Sequence, residues 1–303
     1  MYYSLNEYCK KTFGEKVYRL SLNGGMTCPN RDGSLDFGGC TFCSEGGSGD
    51  FSADYTISIS KQISQAKEKI RQKTSCSKFI AYFQAYTNTY APLSHLRRIF
   101  MEAIQEPEIV TLSIGTRSDC LSDEILDLLE ELSHIKPVWV ELGLQTIHNK
   151  TLQRLNTHTT VEQFHTATHQ LTMRNIPIIA HVILGLPNET KEMMLETVKY
   201  VSDKKLFGVK LQLLHILKHT KLALEYEQEP FSLFELEEYC DFVIDCLEQL
   251  PPEMVIHRLT GDGPRNLLIA PQWSTDKKRV LNTIYKRIKE RNTYQGRLYS
   301  SKL

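Results

Sequence analysis

The sequence has no long uninterrupted apolar segment. Its longest apolar stretch, "IPIIAHVILGLP" from Ile176, is shorter than the roughly 18 residues that a membrane-spanning helix requires. The first residues, "MYYSLNEYCKKTFGEKVY", lack the apolar centre of a secretory signal peptide. We therefore expect a cytoplasmic protein without a membrane partner, in a compartment that keeps thiols reduced and favours metal binding over disulfides.

The sequence also lacks net charge, because 36 Lys and Arg residues balance 36 Asp and Glu residues. The charge is unevenly distributed, however. Residues 221–253 contain ten acidic residues and one lysine, whereas residues 276–303 contain nine Lys and Arg residues and two acidic ones. The neutral total therefore hides a basic C-terminal tail that follows an acidic segment, and this polarity bears on the choice of partner.

Internal repeats and low-complexity segments are absent, and six short apolar runs are typical of buried strands. They begin at Val17, Phe79, Val110, Val138, Ile176 and Gly208. After the first, they recur roughly every thirty to forty residues, the length of a strand and a returning helix. The pattern predicts an α/β protein with a parallel sheet, either open and doubly wound or an incomplete barrel.

The pattern changes near residue 250. Leu236, Val243 and Leu250 lie seven apart, which predicts an amphipathic helix whose carboxylates face water and have no catalytic role. A strand ("EMVIHRL"), a glycine-rich loop ("TGDGPRN") and a basic helix follow. We therefore predict a core at residues 14–250 and an appended, substrate-facing module at residues 251–303.

Three of the eight cysteines lie in the stretch "CPNRDGSLDFGGCTFC", and no fourth cysteine follows at a matching interval. Eleven residues separate Cys28 from Cys40, and two separate Cys40 from Cys43. This cluster loop, residues 28–43, follows the first predicted strand, at the sheet edge where α/β proteins place their chemistry. Its polar residues 30–32 are suited to a lid or a substrate contact.

Several kinds of site could use these thiols. A structural zinc site and an electron-transfer iron–sulfur cluster both normally have four protein ligands. Three unrelated buried cysteines are a further alternative, although the polar, glycine-rich surroundings argue against burial. A three-thiolate cluster with one open iron best explains the missing ligand. No role is assigned to the other five cysteines: Cys9, Cys76, Cys120, Cys240 and Cys246.

The cluster loop and the blocks that follow it resemble the radical S-adenosylmethionine (SAM) superfamily. The blocks are "GTRSDCL", "ELGLQT", "HVILGLPNET", "LHILKHTKL" and "HRLTGDGPR". The resemblance covers nearly the whole chain. It extends to the branch typified by YtqA and YhcC, which is related to the Elongator catalytic subunit and the coproporphyrinogen dehydrogenases.

This resemblance implies a partial (β/α)6 TIM-like barrel that holds a 4Fe–4S cluster on Cys28, Cys40 and Cys43. The open iron would bind SAM, and one electron would cleave SAM to methionine and a 5′-deoxyadenosyl radical that abstracts hydrogen from the substrate. The protein would position the cofactor and exclude water. A reducing partner such as flavodoxin or ferredoxin is also implied.

Polar residues on the fourth predicted strand suggest where the cofactor lies. Glu141 and Gln145 share a strand face by period-two alternation, and unpaired buried polar groups cost about 1–3 kcal/mol. A ribose or an amino-acid group would satisfy them, although a water-filled barrel mouth is an alternative. The resemblance further implies SAM contacts by Phe42, Ala85, Tyr86, Thr87, His181 and Ile183.

Some of these positions carry specific expectations. Ile183 would pack against adenine and His181 would stand near the ribose, although a lone histidine is also a common core residue. Residues 85–87 occupy the place of a Gly-Gly motif that contacts the methionine amino group. Thr157 lies where relatives carry an arginine, and it cannot supply that charge.

The C-terminal module suggests the substrate. The tail interleaves Tyr285, Tyr294 and Tyr299 with cations, as an RNA-binding surface does, although a solvated helix packed on the barrel would look the same. The loop "HRLTGDGPR" is too polar for a core turn. We expect it to close over the active site, with Arg258 and Asp262 reaching the substrate as catalytic residues.

Members of the resembling family act on tRNA. They convert carboxymethylaminomethyluridine to aminomethyluridine at carbon 5 of the wobble base. The resemblance therefore implies a tRNA-modifying radical SAM enzyme. Radical chemistry on a small metabolite or protein is one alternative, and a non-catalytic iron–sulfur redox sensor or RNA-binding protein is another.

Overall fold

The computed structural model describes residues 1–47, 49–261 and 263–300. Its strands are β1 (Tyr18–Leu22), β2 (Phe79–Phe83), β3 (Ile109–Thr116), β4 (Val138–Gln145), β5 (Ile178–Leu184), β6 (Gly208–Leu213), β7 (Ile216–Leu217), β8 (Val255–Arg258) and β9 (Leu268–Ala270). Seven of them form one parallel sheet in the order β1-β2-β3-β4-β5-β6-β8, and β7 pairs with β9 in a small antiparallel sheet.

The α-helices of the described residues are α1 (Leu5–Phe13), α2 (Ile59–Arg71), α3 (Leu93–Ile104), α4 (Asp123–Ser133), α5 (Asn149–Arg154), α6 (Val161–Met173), α7 (Lys191–Asp203), α8 (Lys221–Gln228), α9 (Leu236–Gln249) and α10 (Lys277–Glu290). A short 3-10 helix, Gln272–Thr275, precedes α10. In the part of the chain that is described, no helix combines the length and apolarity needed to cross a membrane.

All six predicted strands are confirmed, and their order follows the chain because each strand returns through a helix to lie beside its predecessor. The sheet curls into a half-barrel, so the prediction of a partial TIM-like barrel is confirmed. The strand expected in the C-terminal module is β8. It hydrogen-bonds to β6 with Gly208 opposite Val255, and it therefore extends the main sheet as its seventh strand.

Helix α1 closes the end of the half-barrel where the strands begin. Ser4 caps it in a capping box with Glu7. The ring of Tyr8 packs edge-on against Trp139 at the start of β4 and against Phe207 just before β6, with centroid distances of 5.8 and 5.0 Å. The lumen is therefore blocked at this end by aromatic packing, and its access lies at the carboxyl ends of the strands.

The acidic and basic segments of the chain pack against each other as α9 and α10. Arg287 of α10 forms ion pairs with Glu237 and Asp241 of α9, and Arg291 pairs with Asp245. The prediction that the α9 carboxylates face water is therefore incomplete, because these partly exposed side chains also form ion pairs with α10. Opposite charges on two neighbouring helices attract each other, and part of the basic tail is used to hold α10 in place.

Candidate active site

Two contiguous cavities open among the carboxyl ends of the strands. The smaller has a volume of about 150 Å³ and the larger about 480 Å³. The two share six lining residues: Phe42, Cys43, Tyr82, Gln84, Gln145 and His181. A ligand in one cavity would therefore lie directly against a ligand in the other.

The three clustered cysteines all line the smaller cavity, and each is a partly exposed free thiol. Burial, and then the neighbouring Cys43, raise the pKa of the Cys40 thiol to about 12, so a cation is needed to hold it as a thiolate. Within residues 1–47, 49–261 and 263–300, no three His, Cys, Asp or Glu side chains converge on a single-ion site. The thiols of an iron–sulfur cluster bind different irons, so such a cluster does not require three ligands to meet at one point.

Hydrogen bonds from Asn30 fix the cluster loop to the loop after α5. Asn30 is fully buried, and its Nδ2 donates to the carbonyl of Asn156 at 2.5 Å and to Sγ of Cys40 at 3.6 Å. In return, Nδ2 of Asn156 donates to Asp36 at 2.6 Å and to the carbonyl of Gly39 at 3.0 Å. The long spacer between the first two cysteines is therefore held against the barrel.

The neighbouring Arg31 closes the loop on itself. Its Nη2 donates to the carbonyl oxygens of Cys43 and Ser44 at 3.1 and 2.6 Å. Asn30 and Arg31 thus bind the loop rather than form the lid that their polarity suggested. Rigid placement of three thiols is what a metal centre requires of its protein.

Arg117, just after β3, supplies a cation that the sequence analysis did not find. Its guanidinium lines the smaller cavity with the cysteines, donates to both carboxylate oxygens of Asp119 at 2.8 and 2.7 Å, and donates to the carbonyl of Thr157 at 2.8 Å. Although burial opposes its charge, Asp119 raises the pKa of Arg117. Arg117 thus lies beside Thr157, the position at which the resemblance implies an arginine, although it is 40 residues earlier in the chain.

A buried network of charges forms the floor of the lumen, with Glu141 at its centre. The carboxylate of Glu141 accepts hydrogen bonds from Ser113 at 2.8 Å and His181 Nε2 at 2.7 Å, and it forms an ion pair with Lys210. Arg19 lies 3.8 Å away. Burial alone would raise the pKa of Glu141, but Lys210 and Arg19 hold it well below its usual range. Protein groups therefore satisfy this carboxylate, and its role as a cofactor contact stays a prediction.

His181 is neutral in this network. Burial, and then the ammonium of Lys210, lower the pKa of His181 to about 4. A neutral imidazole that donates through Nε2 to Glu141 keeps Nδ1 as an acceptor. His181 lines both cavities, which is compatible with the expected position near a ribose.

Gln145 is the clearest site for a ligand contact. Its side-chain Oε1 is buried without a hydrogen-bond partner among the described residues. Strand β4 has a bulge between Gly143 and Gln145, and Gln145 has a φ of 65°. Both residues nevertheless line the smaller cavity. Because an orphaned buried polar atom is costly, a polar ligand at this point would be stabilising.

Residues 85–87, which stand in place of a Gly-Gly motif, differ in their positions relative to the smaller cavity. Tyr86 and Thr87 line the smaller cavity, whereas Ala85 is buried close to Gly49. Tyr86 has a φ of 58°, and its backbone N–H donates to the carbonyl of Gly47 at 2.8 Å. Its ring lies so close to Gly47 that a Cβ there would come within 2.2 Å. The bulky tyrosine is thus accommodated by a glycine opposite it.

The remaining predicted residues belong to the larger cavity. Phe42, Ile183 and Arg258 line it, with Phe42 also reaching the smaller one. Asp262, the other expected catalytic residue, lies outside the described residues. Contact of Phe42 and Ile183 with SAM, and of Arg258 with substrate, stay predictions.

The donor set fits a cluster with a bound SAM. Three thiols, an adjacent guanidinium and an orphaned amide oxygen surround one cavity, which suits a zwitterionic amino acid and a ribose. Arg117 and Lys210 were not predicted from the sequence. Arg117 belongs to a polar block at a strand end, which was a usable signal. Lys210 is a single charge within a buried strand, and the sequence does not identify its partner.

Comparisons with known proteins agree with the resemblance. Residues 27–201 match the family model described as the radical SAM superfamily, and residues 207–290 match the radical SAM C-terminal domain. The chain is 42% identical over 298 residues to YtqA of Bacillus subtilis (strain 168), covering 98% of this chain and 92% of that protein. It is 37% identical over 264 residues to YhcC of Escherichia coli (strain K12), covering 87% and 84%.

Among solved structures, the fold is similar to that of Elp3 from the archaeon Methanocaldococcus infernus. The TM-score is 0.71 at 17% sequence identity, over 92% of this chain and 64% of that chain. At this identity the similarity concerns the fold alone.

Replacing any one of the three clustered cysteines by alanine should abolish the brown chromophore of the anaerobically reconstituted protein, because each thiol is expected to bind a different iron. Cys240→Ala is the matched control, since Cys240 is fully buried in the core between α9 and α10. Absorption spectra and iron content check the result. A full-strength chromophore in Cys28→Ala would contradict this ligand set.

Asn30→Ala should weaken both the attachment of the cluster loop and the hydrogen bond to Cys40. We expect a several-fold faster loss of the chromophore to a chelator and a more negative reduction potential, because hydrogen bonds to sulfur stabilise the reduced cluster. Chelation kinetics and potentiometry measure these changes. Ser34→Ala, an exposed change in the same loop, is the control. Equal values in Asn30→Ala and wild type would refute the role of Asn30.

Proposed function

Because the chain belongs to the radical SAM superfamily, we propose that it is a tRNA-modifying enzyme that acts on the carbon-5 side chain of the wobble uridine. The cofactors of the family are a 4Fe–4S cluster and SAM, as the sequence predicted. The proposed conversion is carboxymethylaminomethyluridine to aminomethyluridine. The observation that carries the proposal is the three-cysteine cavity, which adjoins a larger cavity at the open end of the half-barrel.

The residues of the smaller cavity take roles that follow from their chemistry. Cys28, Cys40 and Cys43 would hold the cluster, which when bound would supply the electron for cleavage of SAM to methionine and a 5′-deoxyadenosyl radical. Gln145 offers its orphaned Oε1 to a donor on SAM, and Arg117 balances negative charge beside the thiols. A reducing partner such as flavodoxin or ferredoxin is required, and both it and tRNA are found in the cytoplasm.

The larger cavity receives the substrate. It shares Phe42, Cys43 and His181 with the smaller cavity, so a substrate carbon there lies next to the cofactor. Arg258 on its wall is proposed to contact the substrate, together with Asp262. Aromatic packing at α1 keeps water from the opposite end, which protects a reactive radical.

An outward face of α10 supports an RNA substrate. Lys278, Arg279, Asn282 and Lys286 line a shallow groove of about 390 Å³ along this face. The helix begins at Lys277, whose pKa is lowered to about 8 by burial and by Arg258 on the wall of the larger cavity. The basic face therefore starts close to the wall of that cavity, next to Asp276, whose carboxylate caps the first turn of α10.

Mass spectrometry of tRNA nucleosides from a deletion strain tests the proposal. We expect the carboxymethylaminomethyl nucleoside to accumulate and its aminomethyl derivative to be lost, with rescue by the wild-type gene and no rescue by a Cys40→Ala variant. Unchanged nucleosides with SAM-dependent formation of 5′-deoxyadenosine would favour a small metabolite or protein as substrate. Failure to form 5′-deoxyadenosine would favour a redox sensor.

Replacing Lys278, Arg279 and Lys286 together by alanine should weaken tRNA binding about tenfold or more and reduce its salt dependence by roughly two to three units of slope, because three phosphate contacts are lost. Binding measured across a salt series gives both values. Arg287 is unsuitable for this test because it holds α9.

The matched control replaces Lys10, Lys11 and Lys69 by alanine. These lysines are also exposed, and replacing them removes the same amount of charge from other helices. If the two triple variants bind tRNA with the same affinity and the same salt dependence, the α10 face has no part in RNA binding.

A further inference from the structure

The side chain of Phe51 is exposed although it lines a cavity. It is 59% exposed, and it lies on the wall of the larger cavity. The other exposed aromatic side chains of the described residues line neither cavity of the candidate site: Phe37, Tyr55, Tyr285 and Tyr294. Isolated apolar side chains on a protein surface are common and require no explanation. An aromatic ring on the wall of a concave site is placed where a ligand can cover it.

Hydrogen bonds on both sides of Phe51 hold its backbone against β1. The N–H and the hydroxyl of Ser52 both donate to the carbonyl of Gly49, at 2.8 and 2.6 Å. The N–H of Ala53 donates to the carbonyl of Ser21 on β1 at 3.2 Å, and Ser21 itself lines the larger cavity. Phe51 therefore projects from a fixed turn, so that little backbone entropy is lost when a ligand covers its ring.

The same cavity carries neutral polar groups. The side-chain amides of Gln84 and Gln212 line it, and each amide offers donors and an acceptor. His215 on its wall is neutral, chiefly because burial lowers the pKa of His215 to about 4. Its Nε2 lies 3.0 Å from the hydroxyl of Ser274, which donates its own proton to the carbonyl of Pro271 at 2.8 Å. Nε2 is therefore the protonated nitrogen, and Nδ1 is an acceptor.

A nucleobase matches this combination of an aromatic ring and neutral polar groups. Its two faces stack on aromatic rings, and its edge carries hydrogen-bond donors and acceptors. An aliphatic side chain of a protein substrate would cover Phe51 but would leave the amides and the imidazole without partners. The volume of about 480 Å³ lies within the range of small-ligand sites. Because the cavity shares Phe42, Cys43 and His181 with the smaller one, a substituent on such a base would lie next to the cofactor.

We propose that the ring of Phe51 stacks on the base of the wobble uridine when that base enters the larger cavity. This inference rests on the proposed function, because the reacting side chain is attached to carbon 5 of that base. To enter the cavity, the base must leave the stack of the anticodon loop, and the ring of Phe51 replaces part of the stacking that is lost. Phe51 is thus a substrate-binding residue that places the base.

The test is a double-mutant cycle with anaerobically reconstituted protein and an anticodon stem-loop. The stem-loop carries either uridine or an abasic nucleotide at the wobble position, and the protein is wild type or Phe51→Ala. We expect the wild type to bind the uridine form about tenfold or more tightly than the abasic form. Phe51→Ala should lower this preference about fivefold or more, because base and ring lose the same contact. An unchanged preference in Phe51→Ala would overturn the inference.

Two further variants distinguish stacking from general apolar contact. Phe51→Trp should retain the preference for the base because its indole offers a larger aromatic face, whereas Phe51→Leu should lose most of it. A wild-type preference in Phe51→Leu would refute stacking. These variants also decide the matter if Phe51→Ala does not fold, which iron content and unfolding temperature show.

Tyr55→Ala is the matched control. Tyr55 belongs to the same segment and is 66% exposed, but it lines neither cavity, so the preference for the base should stay at its wild-type value. An equal loss in Tyr55→Ala and Phe51→Ala would assign the contact to the outer surface of the segment and overturn its assignment to the cavity.

Binding and modification are measured separately, so failure of this inference is distinguishable from failure of the proposed function. A base preference that depends on Phe51 would support the stacking contact even if the tRNA nucleosides of a deletion strain were unchanged. Modification of tRNA with a base preference independent of Phe51 would refute the contact and leave the function. Absence of any affinity for the stem-loop would overturn both.

Discussion

The lumen of this protein depends on one buried carboxylate. Glu141 on β4 connects Ser113 of β3, His181 of β5 and Lys210 of β6, and Arg19 of β1 lies near it. Removing one partner of such a buried pair costs about 3–5 kcal/mol, because the other charge is left without compensation. Polar groups on a sheet interior are tolerated here because four strands contribute a partner to the same acceptor. The arrangement leaves the lumen polar, which ordinary core packing would not do.

Hydrogen bonds between polar groups also hold the cluster loop in place. An eleven-residue spacer between two ligands adds only about 1 kcal/mol of closure entropy relative to three residues. Keeping a long polar loop in one conformation costs more. The loop is fixed by hydrogen bonds to backbone carbonyls from the side chains of Asn30, Arg31 and Asn156. The loop is thereby attached to the segment after α5. The smaller cavity is consequently lined both by the strands and by this loop.

The charge asymmetry of the sequence has two uses in the fold. One face of α10 pairs with the acidic α9, so that Arg287 and Arg291 contribute to packing. The other face remains in solvent with Lys278, Arg279 and Lys286. A neutral protein can in this way present a basic surface near an active site without a large net charge. The same helix thus stabilises the C-terminal module through one face and carries the proposed RNA-binding surface on the other.

The sequence by itself determined the strands, the position of the cluster loop and the family. These depend on local patterns: apolar runs such as Phe79–Phe83 and thiols close together in the chain. The tertiary structure alone decided that Arg117 lies beside Thr157, and that Glu141 is paired with Lys210. The two members of that pair are 69 residues apart, and period-two alternation gives a side chain its face but not its partner. Charge pairing across a lumen depends on strand register and curvature, which no single segment of the sequence encodes.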